Sequence, residues 1–302
     1  MKKIYTYLSF IAAITAFSSC AFNGLFLAPY ELSVEDSFSS YVEDFDDTLT
    51  MTFTKQTQPQ IHNSANELVD FNYSIESIFF KNERGDSTNA WLFEPNEDYN
   101  GTTIYFLHGN AGNVAYNYPL VEPFAEVGYR VFLIDYSGFG FSQGKAKRKH
   151  VLTDANEGLD YLISRTDLKY DHLLIYGQSL GGHLAGVIST LNQERIDGVI
   201  MEGAFSSHKD IAAEKVPVLA RIFVREMYSA EKHIRRMNKP VLIIHSTEDA
   251  VIQYSHGETL YDAATEPKTL YTIDQRHIRG PLFYADSIVK LMENMISIGS
   301  EN

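Results

Sequence analysis

A serine framed by glycines, Ser179 in YGQSLGG (176–182), directly follows the apolar run HLLIYG. That spacing suits a strand that reverses sharply into a helix. The residue at the bend takes strained backbone angles, and Gly177 and Gly181 are small enough to let strand and helix pass each other. A serine there presents its hydroxyl at the carboxyl edge of a sheet, ahead of a helix N-terminus that favours negative charge. The pattern is that of a nucleophile elbow, G-x-S-x-G, and its chemistry is attack on a carbonyl.

Such a serine needs a base, and the base needs a carboxylate to fix its tautomer. His277, in IDQRHIRGP, lies just past the last predicted strand and before the last predicted helix. A loop there can swing an imidazole over the serine. Asp249, in IIHSTEDAV, follows the penultimate predicted strand. The order Ser179, Asp249, His277 differs from the orders of chymotrypsin and subtilisin and is the Ser–acid–His order of the α/β-hydrolases. Glu202, in IMEGAFS, and Glu248 are rival acids. His256 is a rival base, although it falls early on a predicted helix. His245 and His183 read as satisfied core or surface residues.

The stretch FLHGNAGN (106–113) also follows a strand. Gly109 and Gly112 let amide N–H groups converge on one spot, as an oxyanion hole requires. The expected donors are the backbone N–H groups of Asn110 and Leu180, with Ala111 as a substitute for Asn110. The Lys-Ser/Thr ending of a phosphate-cradling loop is missing. The glycines of DYSGFGFSQG (135–144) do not match G-x-G-x-x-G, so this reads as a loop bordering the pocket with Asp135 structural. The lone cysteine and scattered histidines lack ligand spacing, and neither a metal nor an organic cofactor is expected.

The elements that must position these groups are legible in the pattern. From about residue 71 short apolar runs alternate with amphipathic stretches, as in βα units on a mostly parallel sheet. FNYSIESIFF and NAWLFEP predict an opening hairpin, followed by six buried strands. Helices are predicted over 115–127, 149–165, 180–192, 254–264 and 281–297. Open parallel sheets bind ligands outside the carboxyl ends of their strands, which is where the polar residues above fall. An insertion over about 202–239 reads as a short cap. Within it Val218, Leu219, Ile222 and Phe223 are spaced as one helical face.

At 302 residues and 44% hydrophobic content the chain can bury a full core. A formal charge of −14 argues against nucleic acid as a partner. Residues 21–70 read as an acidic tether plus a loosely packed N-terminal extension; 31–50 alone carry seven acids and no Lys or Arg. The start, MKKIYTYLSFIAAITAFSSC, has the charged, apolar and small-residue order of a secretory signal peptide. Its end, FSSC, resembles a bacterial lipobox, with Phe17 where leucine is usual. The expectation is a signal over 1–20, lipidation at Cys20 and an exported, membrane-anchored lipoprotein of the cell envelope.

From residue 71 onward the chain resembles the Bem46-like branch of the α/β-hydrolases. The resemblance is carried by LHGNAGN, DYSGFGFSQG, YGQSLGG, PVLIIHSTEDAVIQYSHGETLY and RHI. It implies an α/β-hydrolase fold, with Ser179, Asp249 and His277 at the catalytic positions. It also implies a serine hydrolase acting on small-molecule or acyl-lipid (thio)esters, often anchored to a membrane. Two departures are IDQR in place of a glycine-rich turn before the histidine, and Gln253 where proline is common. A serine aminopeptidase and an idle interaction protein of the same fold remain the alternatives.

Overall fold

The computed structural model describes residues 26–42, 46–54, 57–215 and 224–300. In chain order its strands are β1 (Ala28–Pro29), β2 (Phe38–Val42), β3 (Asp47–Phe53), β4 (Pro59–His62), β5 (Tyr73–Lys81), β6 (Ser87–Pro95), β7 (Thr102–Leu107), β8 (Ala111–Gly112), β9 (Arg130–Ile134), β10 (His172–Gln178), β11 (Gly198–Glu202), β12 (Val241–Ser246) and β13 (Lys268–Ile273). Eight of them make one sheet in the order β13-β12-β11-β10-β7-β9-β6-β5. The opening hairpin β5–β6 is antiparallel, and β6 also runs antiparallel to β9. All other neighbours are parallel.

The helices are α1 (Val114–Asn117), α2 (Glu122–Glu126), α3 (Arg148–Ser164), α4 (Leu180–Leu191), α5 (His208–Lys215), α6 (Ala230–Ile234), α7 (Tyr254–Ala263) and α8 (Gly280–Ser300). The helix predicted over 115–127 is broken into α1 and α2. Pro119 and Pro123 lack an N–H and sit in the first turns of new helical pieces rather than continuing an old one.

Side chains alternate across a strand, so each buried strand feeds two cores. Ile104, Phe106, Leu174, Tyr176, Ile200 and Ile244 pack with Phe124 of α2 and Ile288 and Met292 of α8. Tyr105, Leu107, Ile175, Val199 and Ile243 pack with Leu159 of α3, Leu184 of α4 and Leu260 of α7 on the other face. With both faces covered, the central strands are apolar throughout, as a parallel sheet requires. The sheet's carboxyl edge is thereby held between two rigid layers.

The N-terminal extension is packed onto the core rather than loosely attached as expected. Strands β2, β3 and β4 form a separate antiparallel sheet. It sends Leu49, Met51 and Ile61 into the same core as Trp91 and Phe93. Ahead of it, Phe26 and Leu27 are buried, and β1 pairs in parallel with β8. The signal region, Cys20 and the cap face of Val218, Leu219, Ile222 and Phe223 lie outside the described residues.

Candidate active site

Ser179 stands between β10 and α4 at φ 55° and ψ −114°. Such a backbone costs an L residue on the order of 1–3 kcal/mol and persists only where the surroundings fix it. The glycines on either side show how. A Cβ at Gly177 would collide with the backbone of Gly181, and one at Gly181 would collide with the carbonyl of Leu107. No side chain fits at either position, so the strand-to-helix reversal closes only with glycine. The Ser179 N–H donates to the Glu202 carbonyl at 2.8 Å, tying the elbow to the end of β11.

His277 and Asp249 are brought together from separate loops. The carboxylate accepts from the ring: His277 Nδ1 lies 2.6 Å from Asp249 Oδ2. With Nδ1–H donating, Nε2 keeps its lone pair and can take a proton. The other carboxylate oxygen accepts the N–H groups of Val251 at 2.8 Å and Ile252 at 2.9 Å. Burial works to raise the Asp249 pKa. The hydrogen bond and charge of His277, with those two N–H groups, outweigh burial and hold the carboxyl below its ordinary 3.8. Rival Glu248, next door, is exposed.

Two glycines leave room for this loop beside the elbow. A Cβ on Gly203, which has φ +54°, would stand 3.2 Å from both Cε1 and Nδ1 of the His277 ring. A Cβ on Gly109 would stand 3.5 Å from Ser179 Cβ and 3.8 Å from Ile278 Cδ1. The residue after His277 therefore packs beside the serine, across Gly109. Ile278 itself has φ 51°, a second strained non-glycine residue at the same spot.

Glu202, a rival acid, is held elsewhere. Its Oε2 accepts from Tyr176 Oη at 2.7 Å and Gln178 Nε2 at 2.6 Å, while Oε1 accepts the Gly280 N–H at 2.7 Å. Burial raises its pKa above the ordinary 4.5, against the lowering effect of those donors and of the His277 charge. It straps the strand before the elbow to the start of α8, three residues beyond His277. His256, the rival base, is also engaged elsewhere. Its Nδ1 accepts from Ser206 Oγ at 2.9 Å, and its Nε2 lies 2.9 Å from Glu214 of α5.

The candidate oxyanion loop is fixed from beneath. His108 is fully buried, and burial lowers its pKa to about 4; its Nδ1 donates to the Gly109 carbonyl at 2.7 Å. In a trans peptide the Asn110 N–H then points the opposite way from that carbonyl. Asp135 Oδ1 accepts the Val114 N–H at 2.9 Å, and burial raises its pKa to about 7. The His183 ring is engaged elsewhere, with Nδ1 2.8 Å from the Phe205 carbonyl. His245 Nε2 bonds the Ile252 carbonyl at 3.0 Å.

Residues 102–226 match the family model described as the alpha/beta hydrolase fold. Protein YfhR of Escherichia coli K12 is 35% identical over 212 residues, spanning 68% of this chain and 74% of YfhR. Protein bem46 of Schizosaccharomyces pombe is 29% identical over 190 residues, spanning 61% of this chain and 63% of bem46. The chain belongs to the Bem46-like branch of the α/β-hydrolases. The fold of this Bem46-like hydrolase is also that of esterase Pf2001 from Pyrococcus furiosus, at TM-score 0.61 and 16% identity over 74% of this chain and 92% of Pf2001.

What the sequence did not reveal in this hydrolase is the support around the candidate groups. Glu202 drew notice only as a possible acid, and His108 drew none. The signal for His108 was its place between an apolar strand and Gly109, where a buried imidazole must find a carbonyl.

Proposed function

We propose that this hydrolase transfers an acyl group from a carboxylic ester or thioester to water through a covalent intermediate on Ser179. His277 Nε2 takes the Oγ proton as Oγ attacks the carbonyl carbon. The N–H groups of Asn110 and Leu180 hold the negative oxygen of the tetrahedral intermediate. His277 returns the proton to the leaving alcohol or thiol as the bond to it breaks. Water then repeats the sequence on the acyl-enzyme, and Asp249 keeps the imidazole in the required tautomer throughout. The observation that carries this is the 2.6 Å Asp249–His277 pair, with Ile278 next to His277 facing the positive-φ Ser179 across Gly109. Two structural neighbours, the esterase Pf2001 and Est1E of Butyrivibrio proteoclasticus with ferulic acid bound, lend support to an ester substrate.

A fluorophosphonate probe and p-nitrophenyl esters test it together. Wild type should be labelled on Ser179 and hydrolyse the esters. Ser179→Ala should lose labelling and at least about 10⁴-fold in kcat. Retained turnover within about tenfold would place the nucleophile elsewhere.

We also propose that the signal over 1–20 is removed and Cys20 carries lipid, holding the enzyme at a membrane of the bacterial cell envelope. The support is the charged, apolar and small-residue order before Cys20. Cys20→Ser should release the protein into the soluble fraction or leave the signal uncleaved. A correctly processed mutant that stays on the membrane would exclude lipidation.

A further inference from the structure

The segment Phe26–Leu32 lies outside the stretch that matches the family model, yet it touches the candidate oxyanion loop directly. The Ala28 N–H donates to Asn110 Oδ1 at 2.8 Å and reaches the Asn110 carbonyl at 3.3 Å. Ala28 and Pro29 pair in register with Ala111 and Gly112. One residue on, the Tyr30 carbonyl accepts from Asn113 Nδ2 at 3.1 Å and from the Gly140 N–H at 2.9 Å. The Leu32 N–H then donates to the Gly140 carbonyl at 2.8 Å. The strap therefore ties the oxyanion loop to the glycine-rich loop after β9.

Its leading end is anchored. Phe26 is only 6% exposed; its ring meets His208 edge-on at 5.0 Å, with the Arg148 guanidinium 5.2 Å above it. Anchored at one end and paired along its length, the strap presents the Ala28 N–H as a fixed donor.

The loop needs such a partner. Gly112 has φ +84°, and residues 109–113 include two glycines, which lose the most freedom on ordering. His108 fixes the Gly109–Asn110 peptide from the core side. The next peptide, Asn110–Ala111, carries the substitute donor N–H and has its carbonyl held by the strap. With Ala28 in place, the peptide carrying the Ala111 N–H is held beside the peptide carrying the Asn110 N–H before substrate arrives. Preorganised donors act on charge that develops in the transition state, so loosening them lowers kcat far more than it weakens substrate binding.

We infer that the N-terminal strap Phe26–Leu32 is part of the catalytic apparatus, with Ala28 a positioning residue that holds the Asn110–Ala111 peptide in place for the oxyanion. The kinetic side of this rests on the acyl-transfer assignment above; the structural side does not.

The test is Ala28→Pro against Ala28→Gly in the full chain. Residue 28 already precedes a proline and lies in a strand, so its backbone is extended, and proline deletes the N–H and sets a ring carbon against Asn110 in its place. Ala28→Gly keeps the N–H. Ala28→Pro should lower kcat on a p-nitrophenyl ester by about tenfold or more, with KM within about threefold, and weaken a boronic-acid transition-state analogue in parallel. Ala28→Gly should stay within about threefold of wild type in all three. Amide hydrogen exchange across 109–113, which needs no substrate, should quicken in Ala28→Pro alone. Phe26→Ala, which loosens the anchor and leaves the bonding N–H in place, should move both readouts in the same direction by less. Unchanged exchange at 109–113 in Ala28→Pro overturns the strap, whatever the kinetics. Quickened exchange in an enzyme whose wild type never labels Ser179 would sink acyl transfer and uphold the strap's hold on the loop.

Discussion

Two buried carboxylates sit at the ends of neighbouring strands, Glu202 closing β11 and Asp249 three residues past β12, and they are put to opposite use. Asp249 faces an imidazole that can carry charge; burial is outweighed and the carboxyl ionises more readily than usual. Glu202 faces a phenol, an amide and a backbone N–H, none of which can carry positive charge, and burial wins. Position at the sheet edge does not separate the two, since both are within reach of His277's field. What separates them is the partner. A carboxylate hydrogen-bonded to a base orients proton transfer, whereas one satisfied by neutral donors joins elements that would otherwise part.

The largest effect that would sharpen this contrast is Asp249→Asn. An asparagine loses the charge that favours the imidazolium and permits the wrong tautomer, so kcat should fall by about 10⁴-fold. Steady-state ester hydrolysis reads this directly. Glu202→Gln should do the reverse in kind. One oxygen cannot accept from Tyr176, Gln178 and Gly280 in their present places, so at least one donor faces an NH₂ group. That should cost about 1–3 kcal/mol of stability, seen as a lower denaturation midpoint, with kcat of the folded enzyme down less than about tenfold. A larger kcat loss for Glu202→Gln than for Asp249→Asn would invert the two roles.

The smallest effect is in pH. Asp249 titrates lower in the folded chain than in the unfolded one, so its stabilisation is complete above about pH 4 and drains as pH falls through the folded value. Glu202 titrates higher when folded; its contribution is complete below about pH 4.5 and shrinks as pH rises through the folded value. The stability deficit of Asp249→Asn relative to wild type should therefore widen from about pH 3 to pH 5. That of Glu202→Gln should narrow from about pH 4.5 upward. Chemical denaturation across that range checks the signs, and parallel trends would remove the distinction between the two sites.

The strands, the helices and the elbow were legible because each is signalled locally. Apolar runs of strand length and Gly177 and Gly181 around Ser179 act within a few residues; Pro119 and Pro123 are as local, yet the helix expected over 115–127 ran through both. The meander over β2–β4 carried such a signal too: DTLTMTF alternates strictly from Thr48 to Phe53. Its acidic surroundings hid that period behind a charge average. Other features were not legible because nothing local encodes them. Ala28 meets Asn110 across 82 residues, and Glu202 meets Gly280 across 78. Such pairings depend on where the sheet sets its edges, and glycine at position 280 shows its reason only beside the carboxylate.

Folding of the extension also resets the reach of the molecule. A free tether of fifty residues over 21–70 could span as much as about 170 Å. With Phe26 seated against His208, only five residues lie between it and Cys20, and no conformation of that short a stretch exceeds about 20 Å. Under the proposed acylation, the candidate oxyanion loop, held by Ala28 two residues beyond that seat, would then work within a short leash of the bilayer surface. Such an enzyme would meet acyl groups leaving or lining the membrane before it met any in the surrounding solution.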